Sequence, residues 1–126
     1  MRGPTRILVV DDERNISDLV AMALRYEGFT VAPAATAREA HDAVTHFWPA
    51  LVIVDIGLPD KDGFSLVKRF RAEGHTVPVI FLTVRDAPEE NVSGLAGDDY
   101  VMKPFSLEHL TARIRVVLRR QPSGPA

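Results

Sequence analysis

Four short apolar runs divide the chain, and a charged or hydroxyl side chain follows each of them. The runs are residues 7–10, 51–54, 79–82 and 100–102. They are followed, in that order, by Asp11, Asp55, Thr83 and Lys103. Apolar runs of this length between turn signals are typical of parallel strands that are buried on both faces. We therefore predict four buried strands, each ending at a residue that can take part in chemistry.

Apolar residues recur every three or four positions between these runs, a spacing that predicts amphipathic helices. The first helix is predicted to bury one face, formed by Ile16, Leu19, Val20, Ala23 and Leu24. Gly28 ends this helix, and a short strand is predicted at residues 29–32. Thr36 and Glu39 form a capping-box pattern at the start of the second helix. Ser106 is predicted to cap the last helix.

The alternation of strand and helix signals predicts an α/β fold with five parallel strands and five helices. The fourth helix is polar and is predicted near residues 89–95. Repeated strand–helix units imply right-handed crossovers and a doubly wound sheet. Ligands of such sheets bind at the carboxyl ends of the strands. We therefore expect the residues that follow the apolar runs to share one edge of the sheet.

The size of the chain, 126 residues of which 46% are hydrophobic, suits one compact domain. We predict a domain over residues 1–120, followed at 121–126 by a segment of linker composition. The net charge of -2 argues against nucleic-acid binding by this chain itself. The absence of cysteine excludes disulfides and thiolate metal sites, and it favours a cytoplasmic location. No membrane span or signal peptide is predicted, because no apolar run is long enough and a strand begins near the N-terminus.

Three carboxylates are predicted to meet at one edge of the sheet. Asp11 and Asp12 end the first strand and Asp55 ends the third, and a central first strand makes these ends neighbours. Crowded carboxylates resist ionisation unless a cation neutralises them. Hard oxygen ligands with open positions suit Mg²⁺, which also accepts phosphate oxygen. Lys103 and Thr83 can pair with a phosphoryl group, and a carboxylate beside the metal can act as its acceptor.

Four motifs resemble, in their order and spacing, the receiver domain of two-component response regulators. They are VVDDE at residues 9–13, DIGLPDKDG at 55–63, FLT at 81–83 and DDYVMKPF at 98–105. The resemblance covers residues 6–120 and implies a flavodoxin-like parallel sheet with the strand order 2-1-3-4-5. It also implies a phosphorylation-activated switch that receives its phosphoryl group from a sensor histidine kinase. Such a domain catalyses its own phosphotransfer and is not expected to turn over an outside substrate.

The resemblance assigns the acceptor and the metal ligands to individual residues. Asp55 would accept the phosphoryl group from a phosphohistidine of the kinase. Asp12, Asp55 and the backbone carbonyl of Gly57 would ligate Mg²⁺. Asp11 would act mainly through a metal-bound water.

The resemblance also assigns residues that respond to the phosphoryl group. Lys103 would pair first with the acidic cluster and then with the phosphoryl group. Thr83 would move toward that group, and Tyr100 would rotate inward behind it. The peptide bond before Pro104 is expected to be cis, a conformation that is largely restricted to proline. These movements would bias a two-state loop, as in other phosphorylation switches.

The fine pattern resembles the OmpR/PhoB-like transcription regulators, which dimerise through their fourth helix, fifth strand and fifth helix. Positions that match dimer contacts are Asp98, Asp99, Arg113, Arg120, Asn91 and His109. Asn91 and His109 replace a basic–acidic pair, which implies weaker dimerisation. Members of this group carry a winged-helix DNA-binding domain after the linker, so DNA would be bound through an output domain outside this chain.

One segment departs in length from the family pattern. The stretch 95–99 is about two residues shorter than is usual. Either a true deletion shortens the fourth helix, or residues are absent from the sequence as written, and the second explanation is favoured because the other motifs match. A second departure is Val84, which stands where a small residue is common and adds bulk near the acceptor.

Several notable residues have simpler structural explanations. Asp60 and Asp62 are expected to serve the turn and the start of the next helix, not the metal. Lys61 is expected to be an ordinary surface charge. Trp48, beside Pro49, is expected to pack in a loop.

Three other functions are compatible with parts of the pattern. A haloacid-dehalogenase-like phosphatase would need a second aspartate where Gly57 stands, so turnover of phosphoesters is not expected. A nucleotide-binding Rossmann-like domain would need a glycine-rich loop after the first strand, where residues 11–13 are acidic instead. A phosphate-independent, receiver-like interaction module remains the main alternative.

Overall fold

Five parallel strands and four helices alternate along residues 4–83 and 99–120, the part of the chain that the computed structural model describes. They are β1 (Arg6–Val10), α1 (Arg14–Tyr26), β2 (Thr30–Ala34), α2 (Ala37–His46), β3 (Leu51–Asp55), α3 (Gly63–Ala72), β4 (Val79–Thr83), β5 (Asp99–Met102) and α4 (Leu107–Arg120). The strands form one sheet in the order β2-β1-β3-β4-β5, and every neighbouring pair is parallel. This confirms the predicted fold class and strand order. No helix in these two ranges has the length and apolar character needed to cross a membrane.

The polar helix predicted near residues 89–95 lies outside the described residues. The shortened stretch 95–98 lies there as well. The sequence is continuous through this stretch, so no residue is absent from it. The explanation favoured above is therefore wrong, and the shortening is a property of the chain.

Alternate strand residues point to opposite faces of the sheet, and this divides the core into two clusters. On one face, α1 and α4 cover Ile7, Val9, Ile53, Ile80 and Leu82. On the other face, α2 and α3 cover Leu8, Val10, Val52, Val54 and Phe81. All ten side chains are fully buried. Because both faces are covered, the strands read as continuous apolar runs instead of alternating ones.

The inner face of α1 agrees with the predicted one only in part, since the predicted residues Ile16 and Ala23 are half-buried. Ser17, Val20, Ala21 and Leu24 are buried, and they follow the helical spacing of three and four residues. Leu19 lies beside this stripe and is 52% exposed, so its predicted burial was wrong. The helix ends as predicted, since Gly28 follows it with a φ of 99° that glycine adopts without strain.

The predicted helix starts are confirmed by side-chain hydrogen bonds. The backbone N–H of Glu39 donates to Thr36 Oγ1 at 3.0 Å at the start of α2. Glu39 Oε1 accepts from the Ala35 N–H, one residue earlier than in a standard capping box. Ser106 Oγ accepts from the His109 N–H at the start of α4. These caps satisfy N–H groups that have no partner within the helix.

The outer edge of β2 carries two features that matter for exposed backbone groups. The strand continues to Ala34, two residues beyond its predicted end, and it includes Pro33 opposite Val9. Proline has no N–H to offer to a further strand. On the same edge, Arg25 Nη2 donates to the Val31 carbonyl at 3.0 Å.

Trp48, just after α2, has a φ of 55° and is 73% exposed. The prediction that its side chain packs against the protein is therefore wrong.

A non-glycine residue in this left-handed conformation is strained, so Trp48→Gly should raise the free energy of unfolding by about 1 kcal/mol. Urea unfolding followed by circular dichroism measures this change. Trp48→Ala is the control, because it removes the indole and keeps the strain, and an equal gain in both variants would contradict this explanation.

Candidate functional site

The carboxyl ends of the strands bring the predicted site residues together. Asp11 follows β1, Asp55 ends β3, Thr83 ends β4 and Lys103 follows β5. The strand register makes these ends nearly level, with Asp55 opposite Leu82. The common edge expected from the sequence is therefore present.

Three carboxylates form the acidic part of the site. Asp11, Asp12 and Asp55 each offer one oxygen, and these oxygens lie within 4.8 Å of one another. Asp11 and Asp55 are buried, whereas Asp12 is exposed. Burial raises the pKa of Asp11, and the nearby charge of Asp55 adds to this rise. Hydrogen bonds from the Glu13 N–H and from Lys103 oppose the rise without cancelling it.

Lys103 supplies a positive charge in the middle of these carboxylates. Its Nζ lies 3.0 Å from Asp11 Oδ2, 3.2 Å from Asp55 Oδ2 and 3.4 Å from Glu13 Oε1. The side chain is only 9% exposed. Burial alone would lower its pKa, but the hydrogen bond to Asp11 and the charges of Asp55 and Asp11 raise the pKa overall. One ammonium thus serves several acidic groups, which leaves the cluster short of positive charge.

Local backbone contacts position the side chain of Lys103. The Lys103 N–H donates to the Thr83 carbonyl at 2.6 Å, which ties the end of β5 to the end of β4. The peptide bond between Lys103 and Pro104 is cis.

Glu13 also contacts the ammonium of Lys103, and this partner was not predicted from the sequence. Its place directly after the aspartate pair was the only signal for it.

The loop between β3 and α3 closes tightly beside Asp55. The Gly57 N–H donates to Asp55 Oδ1 at 3.2 Å, and the Gly63 N–H donates to the Ile56 carbonyl at 2.8 Å. A Cβ atom placed on Gly63 would lie 2.8 Å from the Asp55 carbonyl oxygen, so the backbones meet too closely for any side chain there. Leu58, in the same loop, is buried in the core. The backbone around Asp55 is therefore held from several sides.

Two aspartates of this loop cap different helices. Asp62 caps α3 as predicted, since its carboxylate accepts from Ser65 N at 2.9 Å and from Ser65 Oγ at 2.8 Å. Asp60 does not cap α3, the helix that follows this loop. Its two carboxylate oxygens accept from the N–H groups of Ala37 and Arg38 at the start of α2. The prediction for Asp60 was thus wrong about the helix, and a contact across 22 residues has no local sequence signal.

A cleft opens to solvent above the cluster. It is lined by Asp12, Glu13, Asp55, Ile56, Gly57, Thr83 and Lys103. The atoms that could ligate a metal are carboxylate and backbone oxygens, the hard ligands that Mg²⁺ prefers. The open side of the cleft leaves room for water or phosphate. The raised pKa of Asp11 indicates that the cluster would gain from a further cation. The residues present therefore fit a magnesium ion.

Some of the residues predicted for switching and dimerisation lie on β5, the edge strand of the sheet, and on α4. Tyr100 is on β5 and is 39% exposed. Asp99 and Arg113 form an ion pair within the same chain. His109 and Arg120 are exposed on α4. Asp98 and Asn91 lie outside the described residues, so the structure gives no geometry for them.

The family assignment follows from comparison with known proteins. A family model described as response regulator receiver domain matches residues 7–115. The chain belongs to this family. The match spans all five strands except Arg6 and includes all the residues of the acidic cluster, and it confirms the resemblance seen in the four motifs.

Curated relatives of the receiver domain are about twice as long as this chain. It is 43% identical over 119 residues to the probable transcriptional regulatory protein TcrX of Mycobacterium tuberculosis, covering 93% of this chain and 51% of that protein. It is 40% identical over 117 residues to the transcriptional regulatory protein BasR of Escherichia coli, covering 91% and 53%. The resemblance to OmpR/PhoB-like regulators is thereby confirmed.

Solved structures of receiver domains match along nearly their whole length. A two-component response regulator from Clostridium difficile has a TM-score of 0.85 at 30% identity, covering 92% of this chain and 97% of that one. A CheY-like response regulator receiver domain protein from Methanospirillum hungatei JF-1 has a TM-score of 0.87 at 30% identity, covering 93% and 95%. The described residues therefore have the fold of a receiver domain.

Proposed function

We propose that this receiver domain is a phosphorylation-activated switch in which Asp55 accepts a phosphoryl group from a phosphohistidine of a sensor histidine kinase. The observation that carries the proposal is the environment of Asp55. Its carboxylate lies at the floor of an open cleft, 3.2 Å from Lys103 Nζ and beside Asp11 and Asp12. A nucleophile, a cation and potential metal ligands thus converge where a phosphoryl group can enter.

The transfer needs few chemical groups from the protein. A carboxylate oxygen of Asp55 forms a bond to phosphorus as the phosphorus–nitrogen bond of the phosphohistidine breaks, and the bonding electrons return to the imidazole nitrogen. Each Asp55 oxygen accepts one described hydrogen bond, from Gly57 N–H or from Lys103, and an ionised carboxylate has further lone pairs for phosphorus and a metal. Lys103 and the hydroxyl of Thr83 then stabilise the new phosphoryl oxygens.

We propose Mg²⁺ as the cofactor of this transfer. Asp12, Asp55 and the carbonyl of Gly57 would hold the ion directly, and Asp11 would hold it through water. Bound there, the ion would neutralise charge on the phosphoryl oxygens. The protein's own part is to keep the carboxylates ionised and oriented, which the bonds from Glu13 N–H and Gly57 N–H support.

The output of the switch is proposed to be dimerisation and transcriptional control. Tyr100 would rotate inward after phosphorylation, and two chains would pair through β5, α4 and the segment before β5. Asp99 and Arg113 already pair within the chain, so dimerisation would require this ion pair to be exchanged or shared. The parent protein would bind DNA through an output domain joined after the receiver, which agrees with the half-length coverage of its relatives.

Intact mass spectrometry with Mg²⁺ and acetyl phosphate tests the proposal. We expect one added phosphoryl group on the wild type, none on Asp55→Asn, and none on the wild type when EDTA removes Mg²⁺. Asp62→Asn is a matched control, because it changes an exposed aspartate that caps α3, and it should be labelled normally. No adduct on the wild type, even with a kinase, would favour a phosphate-independent interaction module, whereas labelling of Asp55→Asn would refute the assignment of the acceptor.

A further inference from the structure

The carboxylate of Asp60 links the loop between β3 and α3 to α2, a helix that precedes this loop in the chain. Asp60 Oδ1 accepts from the Ala37 N–H at 2.8 Å, and Oδ2 accepts from the Arg38 N–H at 3.1 Å. These are the first two N–H groups of α2, which have no partner within the helix. Both oxygens of one side chain are thus used on one helix end, where an anion is also favoured by the helix dipole.

The start of α2 has a second, independent cap. Thr36 Oγ1 accepts from the Glu39 N–H at 3.0 Å. Thr36 is the residue that precedes the helix, and its bond involves no residue of the loop after β3. A helix of this length therefore does not depend on Asp60 alone for its first turn, and the contact of Asp60 is as much a constraint on the loop as on the helix.

The loop between Asp55 and α3 can transmit this constraint to the site. Leu58 belongs to the same buried cluster as Ala37, so the loop and α2 are both anchored in the apolar core on this face of the sheet. Pro59, between Leu58 and Asp60, has a fixed φ and restricts the residue before it. Few torsions are therefore free between Asp60 and Gly57, the residue whose N–H donates to Asp55 Oδ1.

We infer that Asp60 is a positioning residue for the phosphoacceptor site: by holding the start of α2, its carboxylate fixes the loop that places the backbone of Gly57 against Asp55. The inference rests on the function proposed above for Asp55. Asp60 itself contacts neither Asp55 nor the acidic cluster in the described bonds. It would act through the geometry of Gly57, whose N–H orients the acceptor and whose carbonyl is the proposed metal ligand.

The test compares Asp60→Ala with Thr36→Ala. Both variants remove a cap from the same end of α2, but only the first releases the loop. We expect Mg²⁺ affinity, measured by calorimetry, to fall about tenfold in Asp60→Ala, as is usual when the residues that orient metal ligands are lost. In Thr36→Ala it should stay unchanged. Asp60→Asn keeps one acceptor oxygen and should give an intermediate affinity.

A second measurement separates this inference from the proposed function. Hydrogen exchange of the Gly57 amide is followed by NMR without Mg²⁺ or phosphodonor, so its result does not depend on phosphorylation. Exchange should be faster in Asp60→Ala than in Thr36→Ala. Equal exchange at Gly57 in the two variants would reduce Asp60 to a simple helix cap and overturn the inference, even if Asp55 is phosphorylated. Faster exchange in a chain that takes no phosphoryl group would support the positioning and refute the proposed function.

Discussion

Replacing Gly63 by alanine should lower the free energy of unfolding by about 3 kcal/mol, the upper part of the usual range for overpacking. The added Cβ would lie 2.8 Å from the Asp55 carbonyl oxygen, 2.9 Å from Ile56 Cα and 2.9 Å from Val54 Cγ1. Two of these atoms are backbone and the third is in a fully buried side chain, so none can move aside easily. Relief would require α3 to shift away from the end of β3.

Gly57→Ala is the matched control for this prediction. A Cβ on Gly57 would have no atom within 4 Å, and its backbone φ is not in the left-handed region. We expect its stability to stay within about 0.5 kcal/mol of the wild type. Urea unfolding measures both variants. A similar stability for Gly63→Ala and Gly57→Ala would mean that the close approach of α3 to β3 is not a constraint on this fold.

Replacing Lys103 by methionine should destabilise the metal-free protein by about 2 kcal/mol. The change leaves the carboxylates of Asp11 and Asp55 without the ammonium that lies 3.0 and 3.2 Å from them. Removing one partner of a buried ion pair typically leads to losses of about 3–5 kcal/mol. We expect less because the cleft is open to water. Lys61→Met, which changes an exposed lysine, should have almost no effect.

Mg²⁺ and pH should both reduce the loss in Lys103→Met. Mg²⁺ can replace the missing charge, so it should stabilise this variant more than the wild type. The pKa of Lys103 is raised above 10.5. Its contribution to the free energy of unfolding is therefore complete below pH 10.5, and it is lost as the pH rises through the folded-state pKa. The pKa of Asp11 is raised above 3.8, so its protonation favours the fold and the difference between variant and wild type should shrink in acid. Urea unfolding with EDTA or Mg²⁺ at several pH values tests this, and an equal effect of Mg²⁺ on both proteins would contradict it.

The sequence was sufficient for the sheet and for the acidic cluster for one physical reason. Strands buried on both faces must be continuous apolar runs, and their carboxyl ends must share an edge. The residues after those runs, such as Asp55 and Lys103, could therefore be placed before any coordinates. Helix caps such as Thr36 were predictable because the contact is local.

The errors came from contacts that no local pattern contains. Leu19 fits a helical spacing of apolar residues, but the width of the face that the sheet covers decided in favour of Ser17 and Ala21. Asp60 resembles any loop aspartate, since its partners lie 22 and 23 residues earlier. Trp48 is apolar and beside a proline, but its backbone conformation turns the ring toward water.

The outer edge of β2 has a consequence for how this chain meets other molecules. A sheet edge with free N–H and C=O groups can recruit a strand from another copy, and this is a common route to aggregation. Pro33 removes one donor from that edge, and the guanidinium of Arg25 occupies the Val31 acceptor. Strand addition there is thus disfavoured by geometry and by charge. A receiver domain with such an edge can be present at high concentration without polymerising along its own sheet.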